Sequence, residues 1–326
     1  MKSLFYNLFY YKNYFTCKLF PNYVCDNLIE YYYSSPNIHQ QPYEAEFEKS
    51  TKHNTLKIPT EGYKERISKL NLNNKIKRIP ELPKEITVLE FLPEENIEKK
   101  NGVILCAHGW EGRGTNFYKF IPKLTQKGFR VLTIDHPMHG NTPGTETGCH
   151  LFGFSLNCVI NYIQEPIILL VHSLSNVATC LNYHISDENA RNKIKGYVGI
   201  SGIDKLTDCI LYFGKMSGLD DYTSNNLFME KNSEKHGIDL DLFILSEAIK
   251  HFNYPCLIIH DENDKEVPID SVINISKNVQ EKFKTYKIGD NEFNCFYKTS
   301  GLGHRRIIRN DNVVRLVVDF ISNIEI

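Results

Sequence analysis

The sequence predicts an α/β protein with a mostly parallel, doubly wound sheet, and three observations support this fold class. From residue 85 onward, short apolar runs alternate with segments of helical periodicity. The apolar runs are almost continuously hydrophobic, which is typical of parallel strands covered by helices on both faces. Short motifs rich in glycine, serine, histidine or aspartate directly follow several of these runs.

The alternation of elements can be followed along the chain. The predicted strands are Glu85–Phe91, Gly102–Ala107, Arg130–Ile134, Pro166–His172, Gly196–Ser201, Cys256–His260 and Glu292–Lys298. The predicted helices are Asn116–Lys127, Leu151–Gln164, Leu174–Ser186, Ser271–Phe283 and Asn312–Ile324. Residues 203–252 interrupt this pattern, because they contain helical segments and no clear strand. We therefore expect a helical insertion there.

The first 84 residues differ from the rest, and we treat them as an N-terminal extension and connecting region that precedes a domain at 85–326. Residues 1–43 hold nine of the 19 tyrosines. The spacing of Leu4, Leu8 and Phe15, with Phe5, Phe9 and Lys12, is helix-like and predicts a helical extension whose aromatic side packs on the main domain. The alternatives are an interfacial membrane anchor or a wall of an acyl pocket, since aromatic rings suit water–lipid boundaries. Residues 44–84 are more polar and predict a connection with one or two short helices.

Composition excludes several classes of protein. The chain has 326 residues, of which 41% are apolar and 24% are charged, and its formal net charge is −1. A core of good size is therefore expected, with no bulk affinity for nucleic acid. Nine cysteines without a Cys-x-x-Cys pair indicate reduced core residues of a cytoplasmic protein. No apolar stretch approaches ~20 residues, so no membrane span is expected, and contact with a membrane surface through residues 1–40 is not favoured.

A serine at a sharp turn is the first candidate for chemistry. Ser173 lies in Val-His-Ser-Leu-Ser, directly after the apolar run that begins at Pro166. A strand that ends in such a turn would expose the hydroxyl and direct the next amide inward, as in a nucleophile elbow. A serine hydroxyl becomes nucleophilic only when a base accepts its proton. The amide of Leu174 would then donate one hydrogen bond to a developing oxyanion.

The partners that this serine needs follow in chain order. Asp264 lies in a loop after a predicted strand, and His304 lies between Gly303 and Arg305 in a later loop. The carboxylate would fix the histidine tautomer, and the histidine would accept the serine proton. Asp261 is a rival for the carboxylate role. Asp264 is preferred because the loop must extend across towards the histidine, and Val267-Pro268 then lead into the next helix.

A glycine-rich turn supplies the other half of an oxyanion site. His108-Gly-Trp-Glu-Gly-Arg-Gly follows the strand that ends at Ala107. Such a turn lets backbone amides face a ligand, and Trp110 would donate through its amide. We assign His108, Gly109, Trp110 and Leu174 to the oxyanion and substrate-binding set.

Together these motifs resemble the α/β-hydrolase superfamily, in particular single-domain bacterial serine hydrolases with a Gly-Trp-x-Gly-Arg-Gly loop. The resemblance covers roughly residues 85–324 and implies a helical cap at about 203–252. It departs at the elbow, where the family usually has glycine two residues before the serine and glycine or alanine two after. Here these positions are Val171 and Ser175. The bulk of Val171 is expected to loosen the turn or force a local shift.

The resemblance implies a serine hydrolase acting on carboxylic esters or thioesters through an acyl-enzyme on Ser173. Such an enzyme needs no cofactor and no metal, and its partner is a small-molecule acyl substrate. Two alternatives stay open: an acyltransferase that uses the same triad, and a non-catalytic binding protein of the same fold. The sequence cannot separate them, because fold alone does not name a reaction.

Overall fold

The structure is a computed structural model that describes residues 2–34, 36, 40–70, 72, 75–282, 286–288, 291–293 and 295–326. The strands are β1 (Asn54–Pro59), β2 (Glu85–Phe91), β3 (Val103–Ala107), β4 (Arg130–Ile134), β5 (Ile167–His172), β6 (Ile194–Ile200), β7 (Cys256–Asp261), β8 (Tyr286–Ile288), β9 (Asn291–Phe293) and β10 (Phe296–Thr299).

The helices fall into three groups along the chain. Four lie before β2: α1 (Lys2–Cys17), α2 (Pro21–Ser34), α3 (Pro42–Ser50) and α4 (Tyr63–Ser68). The sheet and its crossovers carry α5 (Ile121–Gln126), α6 (Cys149–Tyr162), α7 (Leu174–His184), α8 (Glu188–Lys193), α13 (Asp270–Lys282), α14 (Gly303–Arg306) and α15 (Asp311–Ser322). Between β6 and β7 lie α9 (Leu206–Met216), α10 (Asp221–Thr223), α11 (Met229–His236) and α12 (Leu245–Ile249).

One eight-stranded sheet organises the molecule, in the order β1-β2-β4-β3-β5-β6-β7-β10. β2 runs antiparallel to both β1 and β4, whereas the pairs from β4 to β10 are all parallel. The two central strands, β3 and β5, are buried along their whole length, because helices cover both faces of the sheet. This is the doubly wound α/β architecture that the sequence predicts.

The sequence analysis missed one strand of this sheet. β1 pairs with β2 over six residues, from Asn54 opposite Glu90 to Pro59 opposite Glu85. It is an edge strand with an interrupted apolar pattern, so its sequence gives only a weak strand signal. The predicted boundary at residue 84 thus falls between two hydrogen-bonded strands, and the division of the chain at that point stays a prediction.

Two of the predicted elements are each divided into two in the structure. The helix predicted at Asn116–Lys127 is split, because a 3₁₀ turn at Gly114–Phe117 precedes α5, and Pro122 occupies the first turn of α5. Proline suits a helix start but cannot continue a helix from the preceding turn. The strand predicted at Glu292–Lys298 is replaced by β9 and β10, and β10 alone joins the main sheet; Asn294 lies outside the described residues.

The N-terminal helices and the helical insertion share one apolar core. We call α1 and α2 together the N-terminal hairpin. Its buried residues Val24, Leu28 and Ile29 belong to the same cluster as Ile210 and Phe228 of the insertion. The two segments therefore form one layer above the carboxyl edge of the sheet. Within the described ranges, no helix is both long enough and apolar enough to cross a bilayer.

Candidate active site

The turn after β5 has the backbone of a nucleophile elbow. Ser173 has φ 55° and ψ −121°, a strained conformation for a residue with a side chain. Its amide donates to the carbonyl of Ile200 at 3.0 Å, which fixes the turn to the neighbouring strand. α7 begins at Leu174, so the first amides of this helix lie beside the serine without partners inside the helix.

Val171 and Ser175, the two residues that depart from the usual elbow pattern, are both accommodated in the structure. Val171 is buried in β5 between Ala107 of β3 and Gly199 of β6, its register partners on either side. The neighbouring strands thus carry small residues beside the valine, and the elbow conformation forms despite it. The hydroxyl of Ser175 donates to the carbonyl of His108, which ties the start of α7 to the glycine-rich loop.

Three side chains that are far apart in sequence form a continuous hydrogen-bonded chain. The hydroxyl of Ser173 lies 2.8 Å from Nε2 of His304. Nδ1 of His304 lies 2.7 Å from Oδ2 of Asp264. A carboxylate only accepts, so the neutral ring carries its proton on Nδ1, and Nε2 is free to accept the serine proton. All three residues are largely buried, at 7–8% exposure.

The environment of Asp264 keeps its carboxylate ionised. Burial raises its pKa, but the hydrogen bond and charge of His304 and the amides of Val267 and Glu266 outweigh burial, so the net shift is downward. Both amides donate to Oδ1 at 2.9 Å. His260 is the nearest other imidazole, but its Nε2 donates to the carbonyl of Val267 at 2.9 Å, which leaves Oδ2 to His304.

Asp261, the alternative carboxylate, bonds to the loop that carries His304 rather than to the histidine ring. Its Oδ2 accepts from the hydroxyl of Thr299 at 2.8 Å and from the amide of Leu302 at 2.9 Å. The side chain of Asn263 adds a bond to the amide of Gly301 at 2.8 Å. These contacts join the loop after β7 to the loop that carries the histidine. Asp261 therefore holds the histidine loop in place, while Asp264 contacts the histidine ring.

His172 is a residue that the sequence analysis missed. Its Nε2 lies 3.0 Å from the carbonyl oxygen of His304, so the ring donates to the backbone of the candidate base. Burial and the adjacent His304 lower the pKa of His172 to about 3, which keeps the ring neutral. In the sequence, only its position next to Ser173 singles out His172. That position does not predict a contact with His304, which lies 132 residues later.

The glycine-rich loop lies directly against the serine. A Cβ placed on Gly109 would be 2.6 Å from Cβ and 3.2 Å from Oγ of Ser173, so only glycine fits there. Trp110 follows, and its amide and that of Leu174 are the two candidate oxyanion donors. The indole packs between His139 and Phe152, with ring centroids 5.5 Å and 6.5 Å away.

His108 does not face the space above the serine. Its ring is fully buried, with Nδ1 2.7 Å from the carbonyl of Gly109, and Nε2 accepts from the amide of His136 at 3.1 Å. Burial, together with the nearby His139, lowers its pKa well below the usual range. The sequence analysis placed His108 in the substrate-binding set, whereas its contacts make it an internal support of the loop.

Helix α3 supports the same loop from outside, which the sequence analysis also missed. Glu44 accepts from the side-chain amide of Asn116 at 2.7 Å. Glu48 pairs with Arg113 at 3.2 Å. Both partners lie at the end of the glycine-rich loop, so part of the first 84 residues positions the candidate oxyanion site.

A narrow apolar cavity adjoins the elbow. It lies between the N-terminal hairpin, the start of α6 and the insertion, and its empty space is about 300 Å³. It is too narrow for more than about one water molecule. The side chains that line it include Tyr33, Leu174, Leu206, Ile210, Phe213 and Phe228.

Comparison with known proteins supports the fold. Residues 102–174, from β3 to the start of α7, match the family model described as alpha/beta hydrolase fold. An acyl transferase of Photorhabdus laumondii is 27% identical over 215 residues, which cover 60% of this chain and 68% of that protein.

Two solved structures resemble most of the chain in fold. An esterase of Pyrococcus furiosus has a TM-score of 0.56 at 13% identity, over 90% of this chain and 97% of that one. An acylaminoacyl peptidase has a TM-score of 0.51 at 16% identity, over 87% of this chain and 44% of that one. With the sheet order above and the family-model match, these likenesses show that the chain has the α/β-hydrolase fold, which confirms the predicted fold class.

Proposed function

We propose that the protein is a serine hydrolase that cleaves carboxylic esters or thioesters through an acyl-enzyme. The observation that carries the proposal is the unbroken chain from the Ser173 hydroxyl through His304 to Asp264, with contacts of 2.8 and 2.7 Å. These are the distances at which a base can accept a serine proton while a carboxylate holds its tautomer.

The proposed reaction has two halves. The oxygen of Ser173 attacks the acyl carbonyl while its proton passes to Nε2 of His304. The negative charge that develops on the carbonyl oxygen is stabilised by the amides of Trp110 and Leu174. His304 then protonates the departing alcohol or thiol, and the acyl group remains on the serine. Water then attacks the acyl carbon while its proton passes to Nε2 of His304. His304 returns this proton to the Ser173 oxygen as the acyl–serine bond breaks, which releases the carboxylic acid and restores the free enzyme.

The cavity beside Leu174 favours an apolar acyl group. Its walls are mostly aliphatic and aromatic, and the described residues that line it include no acid, lysine, arginine or histidine. Since the cavity is too narrow for an acyl chain in this conformation, we expect the helices of the insertion to move apart when a substrate enters. Ile210 and Phe213 of α9 would then contact the acyl chain of the substrate.

Covalent labelling tests the proposal. A fluorophosphonate probe should label the wild-type protein, and the label should disappear in Ser173→Ala and in His304→Ala. Ser68→Ala is a matched control, because Ser68 is an exposed serine on α4. Loss of label in the first two variants alone would support an activated serine. Folded wild-type protein that takes no label would favour the non-catalytic binding protein instead.

Acyl transfer is the second candidate, and it is motivated by the relative that is named an acyl transferase. The two functions share the acyl-enzyme and differ only in the group that resolves it. Turnover of one thioester with and without added alcohol or thiol acceptors separates them by product. Transfer requires an acylated acceptor to form faster than free acid, whereas hydrolysis yields free acid at an unchanged rate.

A further inference from the structure

The inner side of the N-terminal hairpin is fixed to the helical insertion. Cys17, Cys25 and Leu28 are buried there within the shared apolar cluster. The backbones also touch, since a Cβ on Gly218 of the insertion would lie 2.4 Å from the carbonyl oxygen of Tyr10. The hairpin is therefore part of the folded molecule, and its orientation relative to the insertion is set by packing.

The outer side of the same hairpin exposes large apolar side chains. Phe15 is 62% exposed, Leu19 75%, Phe20 61% and Tyr23 65%. We call these four residues the aromatic tip. They are close together in sequence at the junction of α1 and α2, where the amide of Phe20 bonds to the carbonyl of Thr16. Half of the 14 large exposed apolar residues in the described ranges lie between residues 9 and 31, so the exposure is concentrated here rather than scattered.

The charged side chains of the hairpin's own sequence up to Cys25 have one sign. Residues 1–25 contain three lysines and no acidic residue, and Lys12 and Lys18 are exposed. The first acid, Asp26, pairs with Lys231 of the insertion at 2.7 Å. Asp221 on the neighbouring surface pairs with Lys215 at 3.0 Å. Lys12 and Lys18 thus place positive charge beside the tip, while the nearby Asp26 and Asp221 are each paired with a lysine.

We infer that the aromatic tip docks onto the surface of an anionic lipid bilayer. Aromatic and leucine side chains with adjacent lysines are the combination that inserts at the headgroup boundary and is held there by anionic lipids. The negative charge of such a surface complements Lys12 and Lys18. Docking would place the hairpin, whose Tyr33 lines the cavity beside Leu174, against a source of apolar chains.

Vesicle binding by the full-length protein tests the inference. The protein should float with vesicles of mixed phosphatidylglycerol and phosphatidylcholine, and should bind phosphatidylcholine alone less well. The triple variant Phe15→Ser, Leu19→Ser, Phe20→Ser should lower partition by about 10-fold or more. Because these side chains are exposed, folding should be kept, whereas deletion of residues 1–40 would remove part of the core.

A matched control and a second variant complete the test. Leu92→Ser with Tyr162→Ser removes exposed apolar side chains elsewhere and should leave binding unchanged. Lys12→Glu with Lys18→Glu should lower binding to anionic vesicles by about 5-fold or more per lysine.

Two outcomes would overturn the inference. One is wild-type protein that does not bind anionic vesicles. The other is self-association of the wild-type protein that the triple variant abolishes, because the tip would then be an interface between copies of this chain. Hydrolysis of soluble esters, measured in parallel, reports separately on the proposed catalytic function.

Discussion

Nε2 of His172 donates to the carbonyl oxygen of His304 at 3.0 Å, so the residue before the candidate nucleophile holds the backbone of its candidate base. This contact joins the elbow to the loop that carries the candidate base. The side chain of His172 does not bond to the reacting atoms. We therefore regard it as a positioning residue.

Loss of this donor should lower the rate of chemistry. His172→Leu is expected to reduce kcat by about 10- to 100-fold with a smaller change in KM, because a small misplacement of the base is costly. His172→Gln keeps an N–H donor and should recover part of the loss. Steady-state kinetics on one ester would check this. Equal kcat values for the Leu and Gln variants would show that the contact has no positioning role.

Gly109 should tolerate no side chain. Gly109→Ala would place a methyl group 2.6 Å from Cβ of Ser173, so the loop or the elbow must shift. We expect a loss of about 100- to 1,000-fold in kcat, similar to removal of an oxyanion donor. In Gly144→Ala the three nearest atoms belong to Met138 and Glu146, at 2.9–3.5 Å, and none belongs to the elbow, so this control should keep most activity. Full probe labelling of Gly109→Ala would contradict the predicted close approach.

The two aspartates should give different phenotypes. Asp264→Asn is expected to reduce kcat by about 10,000-fold with the fold intact, because the amide stabilises the wrong histidine tautomer. Asp261→Asn should instead lower the free energy of unfolding by about 1–3 kcal/mol, since it weakens hydrogen bonds to Thr299 and Leu302. Paired denaturation and kinetic measurements separate the two effects. The reverse pattern would assign the catalytic carboxylate to Asp261.

Buried histidines between the hairpin and the insertion should make stability depend on pH. Burial, with smaller effects of Lys235 and Arg78, lowers the pKa of His236 from 6.5 to about 3. Its two ring nitrogens have no hydrogen-bond partner among the described residues, and its ring lies 4.0 Å from that of His150. Between pH 6.5 and 3 the unfolded chain binds the extra proton, so stability falls as the pH drops through this range.

The expected slope for one such histidine is about 1.4 kcal/mol per pH unit. His236→Phe removes one contribution and should flatten the dependence of Tm on pH. His251→Phe, at an exposed position, should leave the slope as in the wild type. If Tm depends on pH equally in the two variants, His236 is not the residue that makes stability depend on pH.

Sequence patterns revealed the sheet and the three residues of the candidate triad, because each lies directly after an apolar run or beside glycine. They did not reveal contacts that depend on distant pairing. β1 is recognisable only from its register with β2. The support that Glu48 gives to Arg113 and the contact from His172 to His304 cross 65 and 132 residues. Such contacts arise from folding rather than from local periodicity.

The most direct test of the account is to trap its covalent intermediate. The protein would be mixed with an activated acyl ester, quenched in acid within the first turnover and analysed by peptide mass spectrometry. The account predicts one acyl adduct on the peptide that contains Ser173, and no adduct in Ser173→Ala. Turnover without an adduct, or an adduct on another residue such as the half-buried Cys209, would contradict the assignment of Ser173 as the nucleophile.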